Sequence, residues 1–349
     1  MQEENYNLRA VINDYVLLDC TSTFACSCMS SATKRKLPAF LKTILWVVLV
    51  QLVLLNLSAA SYAFKFTHFK EGIPPTFNSS NILDRTWKFF VGPTFYKNEE
   101  EPLPSFPVQS VELKLKDDLS IDAWYSAVPS SSKCVIMFHG YSSNKSIMNA
   151  EAFRYRSWGY NVLMLDLRAH GKSQGTATSF GYKETEEVKK AFDFARTQGN
   201  QTVILYGVSM GAVLVMKAVE EHVVDPAAVI ADMPFGSLHD HLKARARVTG
   251  FASEPFAFFT TLWIGIEGGF NGFSLNVCNY AKGVTCPILL QWGERDRFVT
   301  GKETQSIYQC LASKSKKLVV YAEADHDSYL QSDPILWEKE VGSFLNTVH

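Results

Sequence analysis

Val203-Ile204-Leu205-Tyr206-Gly207-Val208-Ser209-Met210-Gly211-Ala212-Val213-Leu214 is the run whose reading decides the fold. Its apolar first half ends in Gly-x-Ser-x-Gly and passes at once into residues suited to a helix. A strand should therefore turn sharply into a helix, with Ser209 at the corner and its hydroxyl held outward. Gly207 and Gly211 suit such a corner, because backbone crowding a strained turn leaves no room for a Cβ. A serine presented this way is a candidate nucleophile. The five-residue pattern alone also occurs in ordinary loops, so the flanking chain has to supply its partners.

Working outward, Ser110 to Lys116 and Ser120 to Ala127 alternate apolar and polar residues around Asp117-Asp118, as a hairpin does. Apolar strands follow at Cys134 to His139, Tyr160 to Asp166, Val203 to Val208, Ala228 to Asp232, Ile288 to Trp292 and Leu318 to Tyr321. Helix-length segments separate most of them, notably Glu184 to Thr197, Met210 to His222, Lys302 to Ala312 and Pro334 to Asn346. Continuous apolar strands alternating with helices predict an α/β domain whose mostly parallel, eight-stranded sheet is covered on both faces. The stretch from Pro234 to Cys286 is far longer than a connecting loop needs. Rich in aromatics and glycine, it predicts a small helical lid over about residues 235–285, whose apolar side either lines an acyl pocket or packs the lid onto the core.

With 349 residues, 47% of them hydrophobic, the chain can bury a sizeable core. Its 34 Lys+Arg against 35 Asp+Glu give a net charge of -1, without the basic field that nucleic-acid binding needs. The 7 cysteines lack CxxC pairs or histidines at metal-ligand spacing, so no structural zinc or other metal is expected. Cys134 falls in a buried strand as an inert small hydrophobe. Cys278 and Cys286 are close enough in sequence to pair in an oxidising compartment, although spacing alone does not establish disulfide geometry.

Residues 1–38 carry little periodicity and should be flexible, and Met29 is an alternative start that would remove Cys20, Cys26 and Cys28. Residues 39–64 are apolar enough to span a bilayer. Lys34, Arg35 and Lys36 precede that span and Lys42 lies near its start, which places the N-terminus in the cytoplasm and the long C-terminal part outside it. Small residues at Ser58-Ala59-Ala60 and Ser61-Tyr62-Ala63 offer signal-peptidase sites, so secretion after cleavage is the alternative. Bulky Tyr62, Phe64 and Phe66 favour an uncleaved anchor. Residues 65–107, with six prolines and Glu99-Glu100-Glu101, read as a linker and lead-in with a short helix around Leu83 to Phe90, and the compact domain spans 108–349.

Further motifs flank the serine: Phe138-His139-Gly140-Tyr141, then Asp166-Leu167-Arg168-Ala169-His170-Gly171-Lys172-Ser173, and, beyond it, Gly293-Glu294-Arg295-Asp296 and Asp325-His326. In that order they resemble the α/β-hydrolase superfamily, in its serine-aminopeptidase-like, monoglyceride-lipase-like and Bem46-like branch, over about residues 108–349. A serine hydroxyl needs an adjacent base and a group to orient that base, and in this fold the order is serine, acid, histidine. Ser209, Asp296 and His326 satisfy it. Glu294 is a rival acid, but the Gly-x-x-Asp aspartate of the resembling family corresponds to Asp296. Asp325 is too near His326 in sequence to face the far imidazole nitrogen. The resemblance implies an oxyanion hole from the backbone N–H groups of Tyr141 and Met210. It also implies supporting roles for His139 and Gly140 and for the turn holding Asp166, Arg168 and His170. Asp232 should stand behind the site, whereas His222, His239 and His241 read as surface or packing residues.

These features predict a membrane-anchored serine hydrolase of a lipid-like or small acyl ester, without metal or organic cofactor. Amide or thioester hydrolysis and aminopeptidase activity are the enzymatic alternatives. The last would need an anion near the pocket, for which the lid offers Glu254 and Glu267. A non-catalytic binding protein of the same fold is the alternative from outside enzymology.

Overall fold

The first described element is α1 (Ala39–Thr67), 29 residues long, with a mean hydropathy of 2.1 over its most apolar window. By length and composition it can cross a membrane. The computed structural model describes residues 38–72, 87–88, 90–248, 250 and 252–348. Expectations for residues 1–37, and most of the helix expected over Leu83 to Phe90, lie outside them; Trp87, Lys88, Phe90 and Val91 are helical. The chain divides into two units inside α1, residues 1–49 and 50–349. In the first, the described helical residues are exposed.

The second unit is built on an eight-stranded sheet. Its strands are β3 (Gln109–Lys114), β4 (Ser120–Ser126), β5 (Lys133–Phe138), β6 (Asn161–Leu165), β7 (Thr202–Val208), β8 (Ala228–Asp232), β9 (Ile288–Gly293) and β10 (Lys316–Tyr321). Their spatial order is β10-β9-β8-β7-β5-β6-β4-β3. The strands from β10 to β6 run parallel, and β4 and β3 are antiparallel additions at one edge. Every residue of β6 and β8 is buried, as strands covered on both faces require. A small parallel pair, β1 (Phe69–Lys70) with β2 (Phe95–Tyr96), lies in the proline-rich lead-in, too short to leave a sequence signal.

Helices cover both faces. On one, α3 (Thr185–Thr197) contributes Val188, Ala191 and Ala195 and α4 (Met210–Glu220) contributes nearly its whole surface. On the other lie α2 (Asn149–Ser157) and the C-terminal α10 (Pro334–Leu345), whose Trp337 is fully buried between Tyr155 and Trp158. Burial of side chains this large contributes roughly 1.5–3 kcal/mol each. The expected sheet and helices are borne out; α2, polar and short, is an addition.

Between β8 and β9 come α5 (Leu238–Val248), α6 (Phe256–Gly268), a 3-10 turn at Gly272–Ser274 and α7 (Val277–Ala281). α8 (Gly301–Cys310) follows β9, and α9 (Tyr329–Ser332) lies between β10 and α10. A disulfide joins Cys278 on α7 to Cys310 on α8, which corrects the pairing of Cys278 with Cys286; Cys286 and Cys134 are free thiols. The later residue wins because the fold lays α7 against α8, a neighbourhood that sequence spacing does not encode.

Candidate active site

Ser209 caps the N-terminus of α4 with φ 52° and ψ −110°, a left-sided backbone that a non-glycine residue adopts only when its surroundings impose it. Those surroundings are close backbone. A Cβ at Gly207 would lie 2.5 Å from the Gly211 carbonyl, and one at Gly211 would lie 2.2 Å from the Phe138 carbonyl oxygen. The Ser209 N–H donates to the Asp232 carbonyl at 2.8 Å, pinning the corner to β8.

From the ends of neighbouring strands come the other two members. Asp296 follows β9 and His326 follows β10, and parallel pairing brings both strand ends to the edge where Ser209 stands. His326 Nε2 is 3.1 Å from Ser209 Oγ, and its Nδ1 is 2.7 Å from Asp296 Oδ2. The other Asp296 oxygen accepts the N–H groups of Phe298 and Val299 at 2.7 and 2.9 Å, so the fully buried carboxylate is fixed as an acceptor. With its Nδ1 proton held there, the imidazole offers the lone pair of Nε2 to the serine hydroxyl. Glu294 is exposed and makes no side-chain contact with this chain of groups. Asp325 is occupied elsewhere, accepting from the Arg297 and His326 amides and from Arg297 Nε. Although burial pushes its carboxyl up, those donors hold it below the usual value.

Tyr141 lines the same cavity, and Met210 directly follows Ser209. Met210 is the first residue of α4, where an N–H has no intrahelical acceptor, and Tyr141 follows Gly140 just past β5. His139, wholly buried, is lowered to about 4 by desolvation and is neutral. Its Nε2 accepts the Leu167 N–H at 3.0 Å, which assigns the proton to Nδ1, 2.7 Å from the Gly140 carbonyl. His139 thus ties the turn before Tyr141 to the loop after β6. In that loop His170 is lowered to about 3 by burial, its Nδ1 bonded to the Arg168 carbonyl. Arg168 pairs with buried Glu187 of α3.

Asp166 belongs to an ion cluster the sequence did not disclose. The buried Lys145 ammonium lies 2.6 Å from Asp166, 2.6 Å from Asp122 and 2.7 Å from Glu101, and 4.5 Å above the Trp124 ring. Burial opposes its charge, but the carboxylates, Asp166 foremost, win and raise its pKa. Among the described residues, Glu101, Asp122 and Asp166 are the carboxylates that converge as metal ligands do; here they surround an ammonium.

The cavity at Ser209, about 220 Å³, has two wings. One is lined by Tyr141, His241, Arg245 and Phe298, with the Arg245 guanidinium 4.7 Å from the Tyr141 ring and donating to His241 Nε2 at 2.9 Å. His241, read from sequence as a packing residue, therefore borders the site; burial, then Arg245, depresses its pKa far below normal and keeps it neutral. The other wing is lined by Ile147, Met148, Glu151, Tyr206, Asp232 and Ser328. Its two carboxylates line the cavity, whereas Glu254 and Glu267 do not; Glu254 instead pairs with His239 at 2.7 Å. Glu151 was missed because α2 itself was missed. The Tyr141 hydroxyl donates to the Phe66 carbonyl at 2.7 Å, bringing the end of α1 to the rim of the site.

Known proteins are similar to this chain. Residues 129–264 match the family model described as serine aminopeptidase, S33. YqkD of Bacillus subtilis is 24% identical over 66% of this chain and 76% of its own. The lysophosphatidylserine lipase ABHD12 of Macaca fascicularis is 25% identical over 54% of this chain, which spans only 48% of that protein. Among solved structures, the Pyrococcus furiosus esterase Pf2001 is 26% identical with a TM-score of 0.60, covering 72% of this chain and 98% of its own. Together with the sheet order and the strand-to-helix corner at Ser209, these likenesses show an α/β-hydrolase fold, and the chain is similar to ester-hydrolysing serine hydrolases that share it.

Proposed function

We propose that the protein is a membrane-anchored carboxylic ester hydrolase in which Ser209 is the nucleophile. The observation that carries this reading is the unbroken series Asp296 Oδ2, His326 Nδ1, His326 Nε2 and Ser209 Oγ, with separations of 2.7 and 3.1 Å across its two hydrogen bonds. His326 takes the hydroxyl proton as Ser209 Oγ bonds to the ester carbonyl carbon, and Asp296 stabilises the imidazolium. Developing charge on the carbonyl oxygen is met by the Tyr141 and Met210 amides. His326 then returns the proton to the departing alcohol. Water, deprotonated by the same imidazole, releases the acid from the acyl-enzyme. An ester is favoured over an amide by the names of the relatives, a lipase and an esterase, and by a cavity lined with Ile147, Met148, Val208, Met233 and Phe298.

Anchoring is supported by α1 and by its burial pattern. Ala59, Tyr62 and Ala63 are buried, and the Ser58 and Ser61 hydroxyls donate to the carbonyls of Phe90 and Val91. Cleavage after Ala60 or Ala63 would strip core residues from the folded unit, which favours the uncleaved anchor. The disulfide suits an extracytoplasmic location for the second unit. Helix α6 leaves Phe258, Leu262 and Ile266 exposed while Trp263 Nε1 donates to Asn56 of α1 at 3.3 Å, so an apolar surface continues from the anchor onto the insertion.

A fluorophosphonate should label the wild type and not Ser209→Ala, and hydrolysis of esters of graded chain length should fall by several powers of ten in Ser209→Ala and His326→Ala. Labelling that survives Ser209→Ala rejects the assignment. For topology, protease added to intact cells should digest the second unit; its protection would reverse the orientation.

A further inference from the structure

Glu151, on α2, is 3% exposed and lines the Ser209 cavity. One carboxylate oxygen accepts from Ser328 Oγ; among the described residues the other, Oε2, has no hydrogen-bond partner. Beside it stands Asp232, 2% exposed, with both oxygens occupied by Tyr206 OH at 2.7 Å and Gln291 Nε2 at 2.6 Å. The fully buried Tyr155 hydroxyl is likewise without a partner among the described residues. Burial, then the Asp232 and Glu151 charges, push its phenol well above the ordinary value, which places all three in one acidic patch.

A buried acceptor left unmatched costs about 1–3 kcal/mol, more if charged, and proteins rarely leave one without a use. Glu151 lines the cavity with Ile147, Met148 and Val208, and its Oε2 lies buried in that wall. A ligand that fills this part of the cavity meets apolar side chains along its length and the Glu151 carboxyl in the wall.

Resting on Ser209 as the reacting atom, we propose that the Glu151 wing is a specificity subsite for a substrate whose chain bears a hydrogen-bond donor, an ammonium or a hydroxyl, which donates to Glu151 Oε2. Asp232 does not compete for the contact, since both of its oxygens are already hydrogen-bonded. A purely hydrocarbon chain would bury the carboxyl unpaired and bind less well.

The test measures binding, so it does not depend on turnover. The full-length Ser209→Ala protein in detergent is titrated calorimetrically with N-methylamides of ω-amino, ω-hydroxy and ω-methyl acids of three to eight carbons. At the best length a donor-bearing ligand should bind at least tenfold tighter than its methyl counterpart. Preference for the amine assigns a cationic group; equal or better binding of the alcohol assigns a hydroxyl. Adding Glu151→Gln, which keeps an acceptor for Ser328 but presents an amide to the wing, should bring the ratio close to one. A ratio near one at every length overturns the proposal, and that reading holds whether or not the Gln variant folds. So does a ratio unchanged by Glu151→Gln, or one that Ser328→Ala abolishes equally, which would make Glu151 a positioning residue for the His326 loop. Failure of the ester-hydrolase reading shows separately, in the fluorophosphonate labelling.

Discussion

A single methyl group on Gly211 would have to share space with the Phe138 and His139 carbonyls, at 2.2 and 2.8 Å, and neither is the free end of a flexible side chain. Gly211→Ala should therefore move either α4 or the turn that presents Tyr141. The expected outcome is a loss of stability of about 1–3 kcal/mol in urea titrations, the range for overpacking, together with slower fluorophosphonate labelling. Asp232 makes a different prediction. Burial raises its carboxyl to about 7 from an ordinary 3.8, so between these values the folded protein holds a proton that the unfolded chain has released. Stability from this group is thus present in full below about 4 and is lost as pH rises to about 7, at up to roughly 1.4 kcal/mol per pH unit. Asp232→Asn should flatten the slope of the urea midpoint over that window, even though the baseline drops with the loss of an acceptor for Tyr206 or Gln291. Glu187 and Glu267, raised by burial to about 8 and about 7, contribute to the slope that remains. The sequence announced Gly211 and Ser209 because steric demands act on neighbours in the chain. It could not announce Asp232 as a titrating group, since its burial depends on β7 and β9.

Among the elements, the short 3-10 turn Lys145–Met148 has the most to hold. Its lysine gathers Glu101 from the lead-in, Asp122 from β4 and Asp166 from the end of β6, three segments far apart in sequence. Lys145→Met keeps the apolar stem and removes the charge, leaving converging carboxylates without their cation. A loss of about 3–5 kcal/mol is expected, as for other broken buried pairs. A calorimetric melt would register it, and a change under 1 kcal/mol would show that the carboxylates protonate freely instead. Long, strongly apolar elements such as β5, β7 and α4 were legible because a run of buried residues leaves one pattern in any context. Helix α2 was not: only Glu151, Ala152 and Tyr155 of its nine residues are buried, and its polar composition reads as loop. Glu101 was read as linker because three adjacent glutamates between prolines look solvated, and only the packed fold shows that one of them points inward. Glu151 fell with its helix.

On the scale of the whole molecule, Ser209, Asp296 and His326 follow strands that lie in chain order along the sheet, which is why sequence order could bring these three together while the cavity's walls stayed hidden. Walls come from the Lys145–Met148 turn, α2, α5 and the loops after β9 and β10, whose mutual placement is a matter of packing. The same holds for the lead-in, read as a connector between membrane and domain. Its residues in fact belong to the folded unit: Lys97 is buried with its ammonium 3.0 Å from the Ser173 carbonyl, and Phe66 and Phe69 contribute to the core. Because the Phe66 carbonyl also receives the Tyr141 hydroxyl, the end of the hydrophobic helix is one side chain away from the amide proposed to meet the reacting carbonyl. The shortest piece of chain that keeps the site whole thus begins inside that helix. Trimming the protein back to the conventional hydrolase boundary near Val108 would yield a more soluble polypeptide in which the wall behind Tyr141 is missing, so that solubility and an intact site are alternatives between which anyone preparing this enzyme has to choose.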